Sequence, residues 1–391
     1  MAKKKILIVD SQLCLGGVGI AAVNMIENLK NDFEIDLLLE KPGGELVNRL
    51  PKSINIHYVD PKLTFYNMPR HVFKKVHPGF WNYVKKIFIG VLKRIGIYRI
   101  INKKQILKSK QFLGDYDVIV NNDMDAEFYG LCHYYTMLKA NAKKRFLVIH
   151  GDFLKNNYHK KYFLKHYMQY DKIISVSDSL NKQMEQVFPE YKNKFESLLN
   201  FQDTNFIKSM AEETKVTFEK DVINIVSASR LTEVKAYMRT LKVLAKLVSE
   251  GVKNFCWHIL GDGEQREEIE KYIKTNNLQD NVVLYGVKDN PYPYFKSADL
   301  VMLNSYHESY GLVLIEALIL KTPVFTTNTL SATELIDEKY GWVVDNDENG
   351  IYEGLKKVLS DKTLIKNKKN NLKNYEYDNE GIKEKFKELI K

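Results

Sequence analysis

The sequence predicts two doubly wound α/β domains, each built on a parallel sheet, facing one another across a cleft. Three observations predict it. Short runs rich in Ile, Val, Leu and Phe alternate with helical patterns, as buried parallel strands joined by helices do. The alternation pauses in a polar stretch near Asn200–Lys220 and restarts at Val222. The 391 residues, 45% of them hydrophobic, suit two ordinary domains better than one core.

In the first half the expected strands are Lys5–Asp10, Glu34–Leu39, Asn55–Val59, Asp117–Asn121, Arg145–His150 and Lys172–Ser177. In the second half they are Val222–Ser227, Phe255–Leu260, Val282–Tyr285, Leu300–Asn304 and Pro323–Thr326. The polar stretch Asp203–Lys220 reads as the linker, which gives domains 1–203 and 204–375. Residues 376–391 read as a last helix that crosses back to the first domain. A Lys/Asn-rich segment, Lys362–Lys373, precedes it. Open parallel sheets bind ligands outside the carboxyl ends of their strands, so the loops after strands are the places to search.

Composition narrows the class. Cys14, Cys132 and Cys256 lie far apart without ligand-type spacing, which argues against a disulfide framework or a zinc site and fits a reducing cytoplasm. The apolar run after Lys3-Lys4-Lys5 is too short for a signal peptide, and no stretch approaches the roughly 20 apolar residues of a spanning helix. The net charge of +10 is lopsided: residues 1–200 carry +13 and the remainder −3. A partner of the first half, itself anionic, is the expectation.

Three loops carry chemistry. Gly16-Gly17-Val18-Gly19 lies between the opening strand and a helix expected over Ile20–Leu29, where bare backbone N–H groups suit a phosphate. An ordinary glycine turn explains it equally well, and the spacing is not that of a dinucleotide site. Arg230 and Lys235 follow the first strand of the second half, and two cations there form a natural diphosphate clamp, although surface salt bridges would also explain them. Glu308 falls in the loop after Leu300–Asn304, and Glu316 about one and a half turns into a helix expected over Gly311–Leu320. Amides from Ser309, Tyr310, Gly311 and Leu312 would point from the helix start toward an anion, with a carboxylate able to accept sugar hydroxyls beside it.

The order Gly-Gly loop, Arg230-x4-Lys235, Gly261-Asp262-Gly263 and Glu308-x7-Glu316 resembles glycosyltransferase family 4, the retaining group with the GT-B fold, of the bacterial surface-polysaccharide type. The resemblance covers most of the second half; in the first it rests on the Gly-Gly loop, His150 and Ser175-Val176-Ser177. It implies that Arg230 and Lys235 bind the diphosphate of a nucleotide sugar, expected to be a UDP-sugar, while Gly16 and Gly17 close over it. It implies that Glu308 holds hydroxyls of the transferred sugar near the amides of Ser309, Tyr310 and Gly311, that Glu316 holds the ribose, and that His150 lies by the transferred sugar. It implies a hexosyl- or N-acetylhexosaminyltransferase that needs no metal and no cofactor. Two departures stand out: Val234-Lys235-Ala236 replaces the family's Glu-Lys-Gly, and Ser309-Tyr310 replaces its Gly-Phe. A noncatalytic GT-B subunit or a GT-B UDP-sugar epimerase are the alternatives.

From Arg70 to Lys110 there are 12 Lys or Arg and no Asp or Glu, interleaved with Phe73, Phe80, Trp81, Tyr83, Phe88 and Tyr98. Val84, Ile87, Phe88, Val91, Leu92, Ile95 and Tyr98 recur at helical spacing, with Ile89, Ile97 and Ile100 off that stripe. Such a helix suits an anionic membrane surface at about 1 kcal/mol per basic residue, with Lys85, Lys86, Lys93 and Arg94 as the expected contacts. An insertion packed on its own domain is the alternative, and nothing resembles a nucleic-acid reading module. The expected acceptor is a lipid-linked saccharide or a surface polymer, with the protein peripheral on the inner face of the cell membrane. Oligomeric state is not legible.

Overall fold

The computed structural model describes residues 3–60, 97–109, 111–122, 131–156 and 167–391, together with 63, 79, 81, 84, 87, 88 and 91. Lys85, Lys86, Lys93 and Arg94 lie outside the described residues. Two sheets organise the chain. The first has the order β3-β2-β1-β4-β5-β6-β7 and the second β10-β9-β8-β11-β12-β13. Every strand pairing in both is parallel.

The first sheet is built from β1 Lys5–Asp10, β2 Glu34–Leu39, β3 Asn55–Tyr58, β4 Gly114–Asn121, β5 Ala140–Ile149, β6 Lys172–Ser175 and β7 Phe195–Ser197. Continuous apolar runs suit strands covered on both faces, and β1 shows why. Ile6 and Ile8 enter one core, while Leu7 and Val9 enter another on the opposite face. The second sheet comprises β8 Ile223–Ala228, β9 Phe255–Leu260, β10 Val282–Gly286, β11 Leu300–Leu303, β12 Val324–Thr327 and β13 Gly341–Val344. Together with their helices these make the GT-B arrangement of two doubly wound parallel sheets.

The strand order reverses once in each sheet. In the first, Ile8 of β1 pairs with Leu37 of β2 on one side and Val120 of β4 on the other. In the second, β8 pairs with both β9 and β11. At such a switch point the two connections leave in opposite directions and open a crevice at the carboxyl ends of the strands. The loops after β1 and β4, and those after β8 and β11, are therefore the ones that fold topology places at crevices.

Several details differ from the sequence reading, among them the starts of β4 and β5, which begin at Gly114 and Ala140. The first helix runs Gly17–Leu29, so Gly17 and Gly19 belong to its first turn and Gly16, its N-cap, ends the loop before it. Strands β7 and β13 are additional; each is an edge strand of three or four residues, too short to show a period. The stretch read as a polar linker holds the helix Thr204–Met210, which is capped by Asp203 and packs Phe206 edge-on against Tyr292 of the second domain. The helix read as Gly311–Leu320 runs Leu312–Ile319.

The last helix, Asn379–Leu389, lies on the first domain. Fully buried Phe386 meets Phe33 edge-to-face at 5.9 Å. Lys383 and Lys387 pair with Asp32, and Lys4 and Lys144 donate to the carbonyls of Ile390 and Leu389 at the helix end, where carbonyls otherwise lack partners. Truncating Phe386 to Ala should cost about 3–5 kcal/mol through lost burial and a cavity. Urea unfolding followed by tryptophan fluorescence and circular dichroism checks this; a loss below about 1 kcal/mol would show that the helix is not part of that core.

Candidate active site

The crevice is assembled from backbone up. After β8, Leu231 N donates to Asp262 O at 2.9 Å and Gln265 N to Leu231 O at 3.0 Å, so two strand-end loops lie backbone to backbone. Glycine is what lets them. A Cβ at Gly261 would lie 2.0 Å from Ser229 O, and one at Gly263 would lie 2.5 Å from Leu231 O. The Gly261-Asp262-Gly263 motif therefore supports the Arg230 loop.

Lys235 closes a short 3-10 turn, Glu233–Lys235, and the next residue, Ala236, has φ 55°. This is the position where the family pattern has glycine. An L-residue there carries a backbone cost of about 1–2 kcal/mol, so the departure at Ala236 is tolerated under strain. The turn aims the Lys235 ammonium at Glu308. Their Nζ–Oε2 distance is 2.7 Å, with side chains about a quarter and a fifth exposed. Ser305 Oγ is 3.3 Å from the same carboxylate oxygen, and Tyr306 N donates to Val234 O at 2.9 Å. The loops after β8 and β11 are thus joined by one ion pair and one backbone hydrogen bond. Arg230 lies exposed in the loop after β8.

Arg239, which the sequence reading missed, braces the second loop from behind. It is 4% exposed and donates to Asn304 O at 2.7 Å, Asn346 O at 3.0 Å and Asn346 Oδ1 at 2.8 Å, with its guanidinium 4.2 Å from the Tyr306 ring centre. Its signal was present as an Arg one turn past Lys235 within an apolar helix face. Tyr310 turns away from the crevice: its hydroxyl lies 2.5 Å from that of Tyr377, which donates to Asn200 O at 2.6 Å. Any part Tyr310 has in binding a donor falls to its backbone. Ser309 O accepts from Ser331 Oγ at 2.6 Å, and Gly311 takes φ 75° to start the helix Leu312–Ile319.

The first domain meets this helix start with its glycine loop. A Cβ at Gly17 would sit 3.7 Å from Leu312 Cδ1, whereas one at Gly16 would meet nothing within 4 Å. Gly19 packs so tightly that its Cβ would lie 2.5 Å from Cys14 O. A second loop, absent from the sequence reading, holds the first: Gly44 (φ 112°) lies against Leu13 O, Leu46 N donates to Leu13 O, and Leu15 N donates to Glu45 Oε2 at 3.1 Å.

His150 closes the far side. Asn122 Nδ2 donates to buried Asp10 Oδ2 at 3.0 Å and to Val18 O at 3.2 Å, which leaves its Oδ1 to accept from His150 Nε2 at 3.0 Å. The imidazole tautomer follows: Nε2 carries the proton and Nδ1 the lone pair. Burial pushes the His150 pKa down to about 4, so the ring is neutral at pH 7. The chain Asp10–Asn122–His150 joins the ends of β1, β4 and β5, the first sheet's switch point. Asp10 and Asn122 are positioning residues that the sequence reading did not single out.

Two parallel-sheet domains in the GT-B arrangement thus place a cation–carboxylate pair at one switch point and a glycine-rich helix start at the other. Residues 209–379, the segment that holds the second sheet, match the family model described as "Glycosyl transferases group 1". The chain is 30% identical over 228 residues to a Campylobacter jejuni N-acetylgalactosamine-N,N'-diacetylbacillosaminyl-diphospho-undecaprenol 4-alpha-N-acetylgalactosaminyltransferase; the match spans 56% of this chain and 60% of that enzyme. Its fold is similar to that of Anabaena HepE with bound UDP and glucose (TM-score 0.68, 14% identity, 99% of both chains). It is also similar to Staphylococcus aureus TarM in complex with UDP and alpha-GlcNAc-glycerol (TM-score 0.68, 15% identity, 99% of both chains).

Glu316 sits deeper than its motif suggests. It is 4% exposed, with Tyr292 Oη donating to its Oε1 at 3.3 Å, and burial raises its pKa from 4.5 to about 7. Between those values the folded carboxyl holds a proton that the unfolded one has released, so this group's contribution to stability falls as pH rises from 4.5 through 7. Glu316→Gln should therefore stabilise the unliganded protein at pH 8 by on the order of 1–3 kcal/mol, with the gain vanishing near pH 4.5. Chemical denaturation at both pH values checks this; equal effects at the two would show that the carboxyl is not held protonated.

Proposed function

We propose that the protein is a retaining transferase that moves a hexosyl or N-acetylhexosaminyl group from a UDP-sugar to a lipid-linked saccharide or surface glycan. The observation that carries the reading is the Lys235–Glu308 pair, with exposed Arg230 in the same loop as Lys235 and Gly17 of the other domain against Leu312. Breaking the bond from the anomeric carbon to the diphosphate leaves negative charge on the leaving group and positive charge on the sugar. Arg230 and Lys235 meet the first, with the backbone at Gly16 free for close approach from the other domain. Glu308 accepts sugar hydroxyls, the amides from Ser309 to Gly311 face the donor, and neutral His150 offers Nδ1 as an acceptor. Glu316 takes the ribose, for which Tyr292 must yield its hydrogen bond. The acceptor hydroxyl attacks from the leaving group's own face and passes its proton to a phosphate oxygen. This route asks for no protein nucleophile, metal or cofactor. Donor chemistry is supported by UDP in the similar HepE and TarM structures.

The acceptor reading draws on the diphospho-undecaprenol named for the Campylobacter enzyme and on the basic stretch. Trp81, Val84, Ile87, Phe88 and Val91, described positions of that stretch, are helical and exposed, Trp81 by 75%. No described helix is long and apolar enough to cross a membrane. An exposed apolar face amid basic residues supports a peripheral seat on an anionic leaflet at the cytoplasmic side. A noncatalytic subunit would have no need of the Lys235–Glu308 geometry; for an epimerase, product analysis decides.

Lys235→Ala and Glu308→Ala should each lower kcat by about 100- to 1,000-fold with unchanged circular dichroism, read as UDP release in a nucleotide-sugar screen. Full activity in either variant would contradict the site. Neutralising Lys85, Lys86, Lys93 and Arg94 together should release the protein from anionic vesicles in a flotation assay; unchanged partitioning would reject the membrane seat.

A further inference from the structure

The Lys/Asn-rich segment found in the sequence has no role in the crevice. It forms the helix Lys362–Leu372, and Lys362, Lys366 and Lys369 recur on one face at i, i+4 and i+7. That face does not simply meet solvent. With Lys220, from the segment before β8, these lysines line a cavity of about 270 Å³. The floor is apolar: Ile223 and Ile365 line it and are 1% and 4% exposed. Ile223 begins β8 and Leu300 begins β11, so the cavity lies at the amino ends of these strands. The donor loops lie at the opposite ends, about 20 Å away at 3.3 Å per residue. It is therefore a separate feature from the crevice.

Its charge is unbalanced. Among the described lining residues Asp299 is the acidic side chain, and Lys369 Nζ is 2.9 Å from its Oδ1. Lys362 Nζ donates to the backbone carbonyl of Asp221 at 2.7 Å, which holds it in place without neutralising it. Lys220 and Lys366 form no ion pair among the described residues. Three lysines without an ion pair among the described residues, drawn from two chain segments, line one concavity and make its potential positive. An anion entering the cavity gains charge-assisted hydrogen bonds from them. The volume falls just below the range of drug-sized pockets, and the isoleucine floor offers contact to a small organic group.

We propose that this cavity is a second ligand site, for a small phosphomonoester or diphosphate. The phosphate is held by Lys220, Lys362 and Lys366, and the organic part lies on Ile223 and Ile365. The site does not depend on the activity assigned to the crevice.

The test uses the full chain with the crevice saturated by UDP, in chloride buffer. Phenyl phosphate, inorganic phosphate and pyrophosphate are titrated by calorimetry, with amide hydrogen exchange followed over residues 219–224 and 362–370. Phenyl phosphate and pyrophosphate are expected to bind in the presence of UDP and to slow exchange in both segments. Phenyl phosphate should bind more tightly than inorganic phosphate. The exposed pair Lys220→Ser and Lys366→Ser, combined, should weaken this binding about tenfold or more while UDP binding stays unchanged. The proposal is overturned if UDP abolishes the phosphate binding, if the double variant binds as the parent does, or if added chloride gives the same protection as phosphate.

Discussion

The ion pair between Lys235 and Glu308 is the contact around which the crevice is organised. It ties the loop after β8 to the loop after β11 across the switch point of the second sheet. A lysine there has a flexible stem, and unpaired it would sample many positions. Three rigid features limit it: the strained turn at Ala236, the backbone hydrogen bond from Tyr306 to Val234, and the guanidinium of Arg239 under Asn304. On the proposed function, a diphosphate entering beside Arg230 competes with Glu308 for the same ammonium, and the carboxylate so released becomes available to sugar hydroxyls. On that reading one contact of the unliganded site holds both groups ready, each partly desolvated.

The second requirement is that the two domains stay close enough for Gly17 to meet Leu312, at the start of the helix that follows Glu308. Several contacts do this without entering the crevice. The Glu334 carboxylate accepts from Asp178 N at 2.7 Å and from Ser179 N at 2.8 Å, at the amino end of the helix Asp178–Val187, where the helix dipole and bare N–H groups favour an anion. Ser331 stands between Ser177 and Ser309, one from each domain. Lys155 of the first domain reaches the ring of His307, next to Glu308. On the other side Tyr310, Tyr377 and Asn200 join the donor loop, the returning C-terminal segment and the end of the first domain. These contacts are small and polar, of the kind that an opening motion can break and remake.

The fold was largely legible because parallel strands buried on both faces leave continuous apolar runs, and β1, β2 and β9 carry the limits read from sequence. Strands β7 and β13 were not legible: at an edge, three or four residues satisfy too few contacts to demand an apolar run. In the crevice, Lys235 and Glu308 were named by spacing, yet their mutual contact was not, since charge pairing depends on the distance between loops 73 residues apart. Tyr310 and Glu316 have motif positions that imply exposure to a ligand. In the structure one serves the domain junction and the other lies beneath Tyr292. Asp10, Asn122 and Arg239 escaped notice because single buried polar residues leave no pattern in sequence; their value comes from the partners the fold brings to them.

The account's central claim is that Lys235 serves the diphosphate and that Glu308 restrains it until a donor arrives. Calorimetric titration of UDP, which has the diphosphate but no sugar, tests this most directly. The account predicts that Lys235→Ala weakens UDP binding by about tenfold or more, while Glu308→Ala leaves it unchanged or tighter, because the ammonium is freed. Equal loss of UDP affinity in both variants would contradict it.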